Sequence, residues 1–147
     1  ECEDQPCKQA FLHAYPTGYD QGGMMIRRKY GDQRFRDETN LIRLVEHLER
    51  AHRDASAVAS AQELEGDYMR FNSVAMDMVQ AQESARKLSD EFRNETPELP
   101  WSELRALRNV IVHQYDEIES YALYESATTS ARHLLSRLRP YVDAIED

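Results

Sequence analysis

The stretch 67–94, DYMRFNSVAMDMVQAQESARKLSDEFRN, decides the fold class. Tyr68, Phe71, Val74, Met78, Ala81, Ala85, Leu88 and Phe92 fall at steps of three and four, the spacing that gathers side chains on one face of a helix. The seam is close to a heptad repeat, so the helix it predicts, from about Asp67 to Asn94, is suited to lengthwise packing against other helices. Met69, Met76 and Met78 lie within it. Methionines at these spacings read first as core filler and second as an adaptable binding surface.

On the N-terminal side, Leu41, Leu44 or Val45, Leu48, Ala55 and Val58 predict a first long helix from Asp37, with Glu46, Glu49, Arg50 and Arg53 mostly on its other side. His47 and His52 are five apart rather than the four that would set two ligands on one face, so both read as surface residues. Ser60-Ala61-Gln62-Glu63 fits a capping box, and Gly66 ends the short turn after it. On the C-terminal side, Thr96-Pro97-Glu98-Leu99-Pro100 stops the second helix, because proline cannot continue the hydrogen-bond ladder. Pro100 suits the first turn of a third helix that carries Trp101, Leu104, Leu107, Val110 and Ile111 towards the core. A fourth, from about Ile118 to Ile145, repeats the seam with Ile118, Tyr121, Ala127, Ala131, Leu134, Leu138, Tyr141 and Ile145, and Pro140 is expected to kink it. No period-two pattern of useful length is present. The expected fold is all-α, an up-and-down four-helix bundle over residues 37–147 with an irregular N-terminal extension over 1–36.

That extension contains Pro6, Pro16, Gly18, Gly22, Gly23 and Gly31 without a sustained period, and reads as loop or tail. It opens on Glu1 rather than Met and lacks the continuous apolar core of a signal peptide, which fits a processed product, a fragment, or a reading frame whose natural start is Met24 or Met25. Arg27, Arg28, Lys29, Arg34 and Arg36 form a basic cluster whose ordinary reading is a solvated segment, with RNA contact as the alternative.

At 147 residues the chain suits one domain with a sizeable core. No apolar run approaches the roughly 20 residues of a membrane span, and a soluble protein with no membrane partner is expected. The net charge is −9, and residues 37–147 carry −10 of it, with twelve Lys/Arg against twenty-two Asp/Glu. Such a balance argues against broad basic-surface binding of nucleic acid. An RNA substrate would need a local basic cleft. Cys2 and Cys7, the sole cysteines, are too few for a zinc site or a disulfide framework, so a reducing, cytoplasmic setting is the default, with a short local disulfide as the alternative.

The chemistry concentrates in Leu107-Arg108-Asn109-Val110-Ile111-Val112-His113-Gln114-Tyr115. A guanidinium, an amide, an imidazole and a phenol within eight residues can bind a phosphate, move a proton and accept a covalent group without a metal or cofactor. At about 100° per residue, Asn109 and His113 share a helix face, whereas Arg108 and His113 are about 140° apart. Either the arginine wraps round, the helix unwinds near His113, or the two groups meet across an interface between two copies of the chain. Tyr115 would share a face with Arg108 if the helix continued that far. The plainer readings are His113 as a helix C-cap or buried hydrogen-bonding residue, Arg108 as a salt-bridge partner of Glu103 or Glu119, and Tyr115 as an amphipathic wedge.

Arg108-Asn109-x3-His113-x-Tyr115, preceded by Pro97-Glu98-Leu99-Pro100-Trp101 and by Ala85-Arg86-Lys87-Leu88-Ser89-Asp90-Glu91, resembles the HEPN superfamily, specifically the HepT-like toxins, over about residues 37–147. The resemblance implies a HEPN-like helical-bundle ribonuclease that works without metal as a homodimer whose two motifs face one cleft. It implies the toxin of a toxin–antitoxin pair, with tRNA a target class. The partner would be a small MNT-type nucleotidyltransferase antitoxin that transfers AMP to the motif tyrosine, here Tyr115. In that frame His113, with an ordinary imidazole pKa of about 6.5, serves as general base or acid, a role typically contributing roughly 10²–10⁴-fold. Arg108 grips the scissile phosphate, and Asn109 orients the imidazole or touches the phosphate. Attack by the RNA 2′-hydroxyl would leave a 2′,3′-cyclic phosphate.

The sequence departs from the family pattern at Gln82-Glu83-Ser84, where Gly-Glu-Ala is common, and at Ile118-Glu119, where an aspartate is commoner. The rival reading from another class is a non-catalytic HEPN-like adaptor that binds a nucleotidyltransferase or another protein, which the acidic balance favours. No Gly-Ser motif followed by paired aspartates is present, so the chain is not itself read as a nucleotidyltransferase.

Overall fold

A computed structural model of the chain describes residues 32–107 and 119–146, and divides the chain into two units, Glu1–Arg36 and Asp37–Asp147. The first long helix, α1, is Gln33–Ser56, with Leu41, Leu44, Val45, Leu48, Ala51 and Ala55 buried in the stripe that their spacing predicts. A one-and-a-half-turn helix, α2 (Ala61–Gly66), follows. The Ser60 hydroxyl accepts from Glu63 N–H, and the Glu63 carboxylate reaches back to the Ala59 N–H, one residue before the cap. Gly66 is the last residue of α2, and no described glycine has positive φ. Asp67 closes α2 with its own N–H and opens α3 (Tyr68–Arg86) by accepting from Arg70 N–H with its side chain.

The second predicted helix is two helices. α3 ends at Arg86, and α4 (Asp90–Glu95) starts afresh with Ser89 as N-cap, its hydroxyl accepting from Phe92 N–H. The cause is Asp37 in the first turns of α1. Its carboxylate is 1% exposed and takes both the N–H of Ser89, at 2.9 Å, and its hydroxyl, at 2.6 Å. A buried carboxylate needs such donors, and a serine continuing inside a helix would spend its N–H on the ladder instead. Leu88 and Phe92 stay in phase with the seam and still face the core, which is why their spacing conceals the break.

After α4, Leu99 and Pro100 are buried and α5 runs Trp101–Leu107. The last rod begins with α6 (Ser120–Glu125), passes through a π-helical segment, Ser126–Ser130, and continues as α7 (Ala131–Glu146). α7 runs through Pro140 to its end. The irregularity absent from the sequence reading is the π segment, where the ladder widens by one residue and leaves carbonyls for side chains. Ala127 O lies 3.1 Å from His52 Nδ1, and Tyr124 O accepts the Thr128 hydroxyl at 2.6 Å.

Side-chain links set the directions. His47 meets Asp77 and Arg70 meets the carbonyl of Asp54, so α1 and α3 are antiparallel. The Tyr124 hydroxyl donates to Val58 O and Arg139 pairs with Glu49, so the last rod is antiparallel to α1 as well. Glu98 O meets Arg137 and Glu103 meets His133, so α5 opposes α7. The result is an all-α, up-and-down HEPN-like bundle, and no strand occurs among the described residues. One core joins α1 through α7, from Leu41 and Leu48 to Leu134, Leu138 and Val142. Phe92 is its largest fully buried side chain, in T-shaped contact with Trp101 and Tyr141 at centroid distances of 5.8 and 6.1 Å.

Neither histidine of α1 is a plain surface group. His47 and His52 are half-buried and bridge to Asp77 of α3 and to Ala127, because the bundle closes on both flanks of the helix. Of the methionines, Met78 is core filler, whereas Met69 and Met76 are 80% and 49% exposed.

Asp37→Ala should lower the unfolding free energy by about 2–3 kcal/mol, since two donors to one buried carboxylate are lost together. Urea unfolding followed by circular dichroism checks this, and Asp37→Asn, which keeps one acceptor, should cost less.

Candidate functional site

All four residues of the sequence-derived site, Arg108, Asn109, His113 and Tyr115, lie outside the described residues, as do Cys2, Cys7 and the basic cluster at 27–29. Both approaches to the motif are described. On the N-terminal side the chain is held residue by residue. The Thr96 hydroxyl donates to Phe92 O at 2.6 Å, and Trp101 Nε1–H donates back to Thr96 O at 2.7 Å. This tie across the two prolines fixes where α5 begins. Leu104 and Leu107 bury its inner face, and the Gln82 amide donates to Leu107 O at 2.8 Å. Leu107 is the last residue before Arg108, so the chain enters the motif from a carbonyl pinned to the final third of α3. On the far side, Glu119 precedes α6 in extended conformation.

Beside this entry lies a cavity of about 290 Å³ between α5 and the start of α7, lined by Glu103, Ala106, Leu107, Thr129, Ser130, His133 and Leu134. Glu103 Oε1 stands 3.6 Å from His133 Nε2 and 3.9 Å from the Arg137 guanidinium. Its carboxyl is held below the ordinary 4.5, first by its own backbone N–H, then by the Ser102 hydroxyl, Arg137 and His133. On α3, next to Gln82, the Glu83 carboxyl is likewise lowered by a two-pronged bond from Arg86. Gln82 stands where the resemblance leads one to expect glycine, and Glu83 keeps the expected glutamate, whereas nothing in the sequence pairs Glu103 with His133, thirty positions apart. Among the described residues no three His, Cys, Asp or Glu side chains converge on a metal position, and no helix is long and apolar enough to cross a membrane.

An all-α HEPN-like bundle whose sequence carries Arg-x4-His-x-Tyr at residues 108–115 fits a class of helical ribonucleases. The HepT-like ribonuclease family model matches residues 41–145, and the chain belongs to that family. The matched span contains the whole motif. The chain is also similar to "Putative RNase MJ1380" of Methanocaldococcus jannaschii, 35% identical over 43 residues, which is 29% of this chain and 39% of that protein. The match thus spans about two fifths of the length of that relative. No solved structure matches the chain significantly.

Gln82→Leu removes the donor to Leu107 O and should cost about 1 kcal/mol of stability, with faster amide exchange in α5 as the local readout. Glu103 offers a pH test. Its folded value lies below 4.5, so its stabilising contribution is present above that pH and is lost as pH falls through the acid range. Thermal melts of Glu103→Gln should therefore converge with those of the parent at acid pH and lie below them at pH 7.

Proposed function

We propose that the chain is a metal-independent endoribonuclease toxin that cleaves RNA, with tRNA a candidate class, and that it acts in the cytoplasm. The observation that carries this reading is the family match over 41–145, a span that includes Arg108, Asn109, His113 and Tyr115. His113 takes the proton of the 2′-hydroxyl as that oxygen attacks the adjacent phosphorus. The P–O5′ bond breaks, the leaving oxygen is protonated, and a 2′,3′-cyclic phosphate remains. Arg108 binds the non-bridging oxygens and offsets their growing charge. Asn109, one turn before His113, orients the imidazole or the phosphate.

The active form in this proposal is a homodimer. Two arguments support it: on an ideal straight helix Arg108 and His113 would stand about 140° apart, which a second copy could bridge, and Tyr68, Met69 and Met76 of α3 are exposed, an apolar surface for that copy. The partner is an MNT-type nucleotidyltransferase antitoxin that transfers AMP from ATP to the Tyr115 hydroxyl, releasing pyrophosphate. The added bulk and negative phosphate exclude RNA. The adaptor reading stays alive through the charge of −10 on residues 37–147.

One assay separates the two. Incubated with total RNA and excess chelator, the parent protein should cut RNA to cyclic-phosphate ends, and His113→Ala and Arg108→Ala should lower the rate at least about 100-fold. RNA left intact by the parent sinks the ribonuclease reading, and cleavage that requires added divalent metal sinks the mechanism. Co-expression with a cognate MNT-type nucleotidyltransferase should add the mass of one or more AMP units, a gain abolished in Tyr115→Phe.

A further inference from the structure

The domain is acidic, yet its arginines are not evenly spread. Arg50, Arg53 and Arg139 line a surface cleft of about 520 Å³ between α1 and α7, with Glu46, Glu49, His52 and Leu135. Arg43 and Arg132 are exposed, and each stands seven residues before a lining arginine, which puts them on the same two helix faces. Five of the twelve Lys and Arg residues in 37–147 thus flank one groove.

From this arrangement we infer that the α1–α7 cleft is a binding groove for the phosphate backbone of an RNA strand. The inference rests on the ribonuclease reading. Three features favour a long polyanion over a single small anion. The arginines repeat along both walls at intervals of seven residues, roughly 10 Å of helix, so they follow a strand lengthwise. All five are guanidiniums, whose planar forks match phosphate oxygens and are less strongly hydrated than ammonium groups. The π-helical segment adds a polar group already in place. A carbonyl can only accept, so Ala127 O fixes the hydrogen of His52 on Nδ1 and leaves Nε2 for the cleft.

Half-buried Leu135 gives the groove an apolar floor for a ribose or base edge. Glu49, paired with Arg139, is the counter-charge that a phosphate displaces. One end of the cleft is tied to the π segment through His52 and Ala127 O. Ala127 is eight residues beyond Glu119, where the described chain resumes after the motif, roughly 12 Å along the rod.

The test measures the full chain against a short fluorescein-labelled 2′-O-methyl RNA, which lacks the attacking hydroxyl, by anisotropy across a salt series. For single strands the slope of log K against log salt is about −0.7 per phosphate neutralised. Arg50→Ala with Arg139→Ala should shallow that slope by about 1.4 and weaken binding at low salt by about tenfold or more. Arg86→Ala with Arg93→Ala removes two cations outside the cleft and should leave both values near those of the parent. Glu49→Gln should bind several-fold tighter, a gain that no folding defect produces.

Equal effects from the two arginine pairs, on a parent that still cleaves RNA, would overturn the groove and leave the ribonuclease reading intact. A parent that neither binds nor cleaves RNA removes both. Displacement of the RNA by polyglutamate at equal charge concentration would mark the cleft as a seat for an acidic protein segment, and the inference would fail.

Discussion

A buried carboxylate without donors is untenable in a helical core, and the way Asp37 meets that demand shapes much of the bundle. Ser89 answers with its N–H and its hydroxyl, so it is held out of the helical ladder and the long apolar seam after Asp67 divides there. α4 starts from that serine and delivers Phe92 to the core, where it meets Trp101 in a T-shaped contact. Trp101 in turn holds Thr96 O across the proline pair, and α5 begins where that bond permits. The position of Leu107, the last residue before the motif, descends from one acid near the start of the domain.

Much of this architecture is legible in the sequence because helices of this size announce themselves by period. Leu41, Leu44, Leu48, Val74, Met78, Leu134 and Leu138 are all buried, and all stand on stripes of three-and-four spacing. The capping box at Ser60 is visible for the same reason, since it is local. What the sequence hides is non-local. The break at residues 87–89 depends on an aspartate fifty-two positions away, and the in-phase Leu88 and Phe92 disguise it. His47 and His52 look like surface groups when read along one helix, but their partners come from α3 and the π segment. Pro140 is conspicuous in the sequence and is carried within α7, whereas the π segment at Ser126–Ser130 has no proline or glycine to signal it.

The candidate site divides differently. Its chemistry is legible because the residue types stand close together in sequence: an imidazole, a guanidinium and a phenol within one short stretch that falls inside the matched family span. Its setting is not, because the residues beside its entry come from distant segments. Gln82 pins the entry from α3, and Glu103, His133 and Arg137 form a charged cluster at the neighbouring cavity. The arginines of the α1–α7 cleft are equally dispersed in sequence. A composition of −10 masks them, since a sum over residues carries no information about which side of the molecule each charge occupies.

The π segment also acts on the geometry of the last rod as a whole. A π turn is in effect one residue inserted into an α-helix, and each residue turns the helix by about 100°. The buried set of α6, with Leu123, and that of α7, with Leu134, Leu138 and Val142, belong to two helical phases joined on one axis. The widened turn is the coupling that brings both into register with a single core. Wound as regular α-helix with every residue kept, the rod would lengthen slightly and one half would rotate against the other by up to about 100°, turning either the core leucines or the cleft arginines the wrong way. The segment therefore works as an angular spacer, and it ties the orientation of the outer surface to that of the interior.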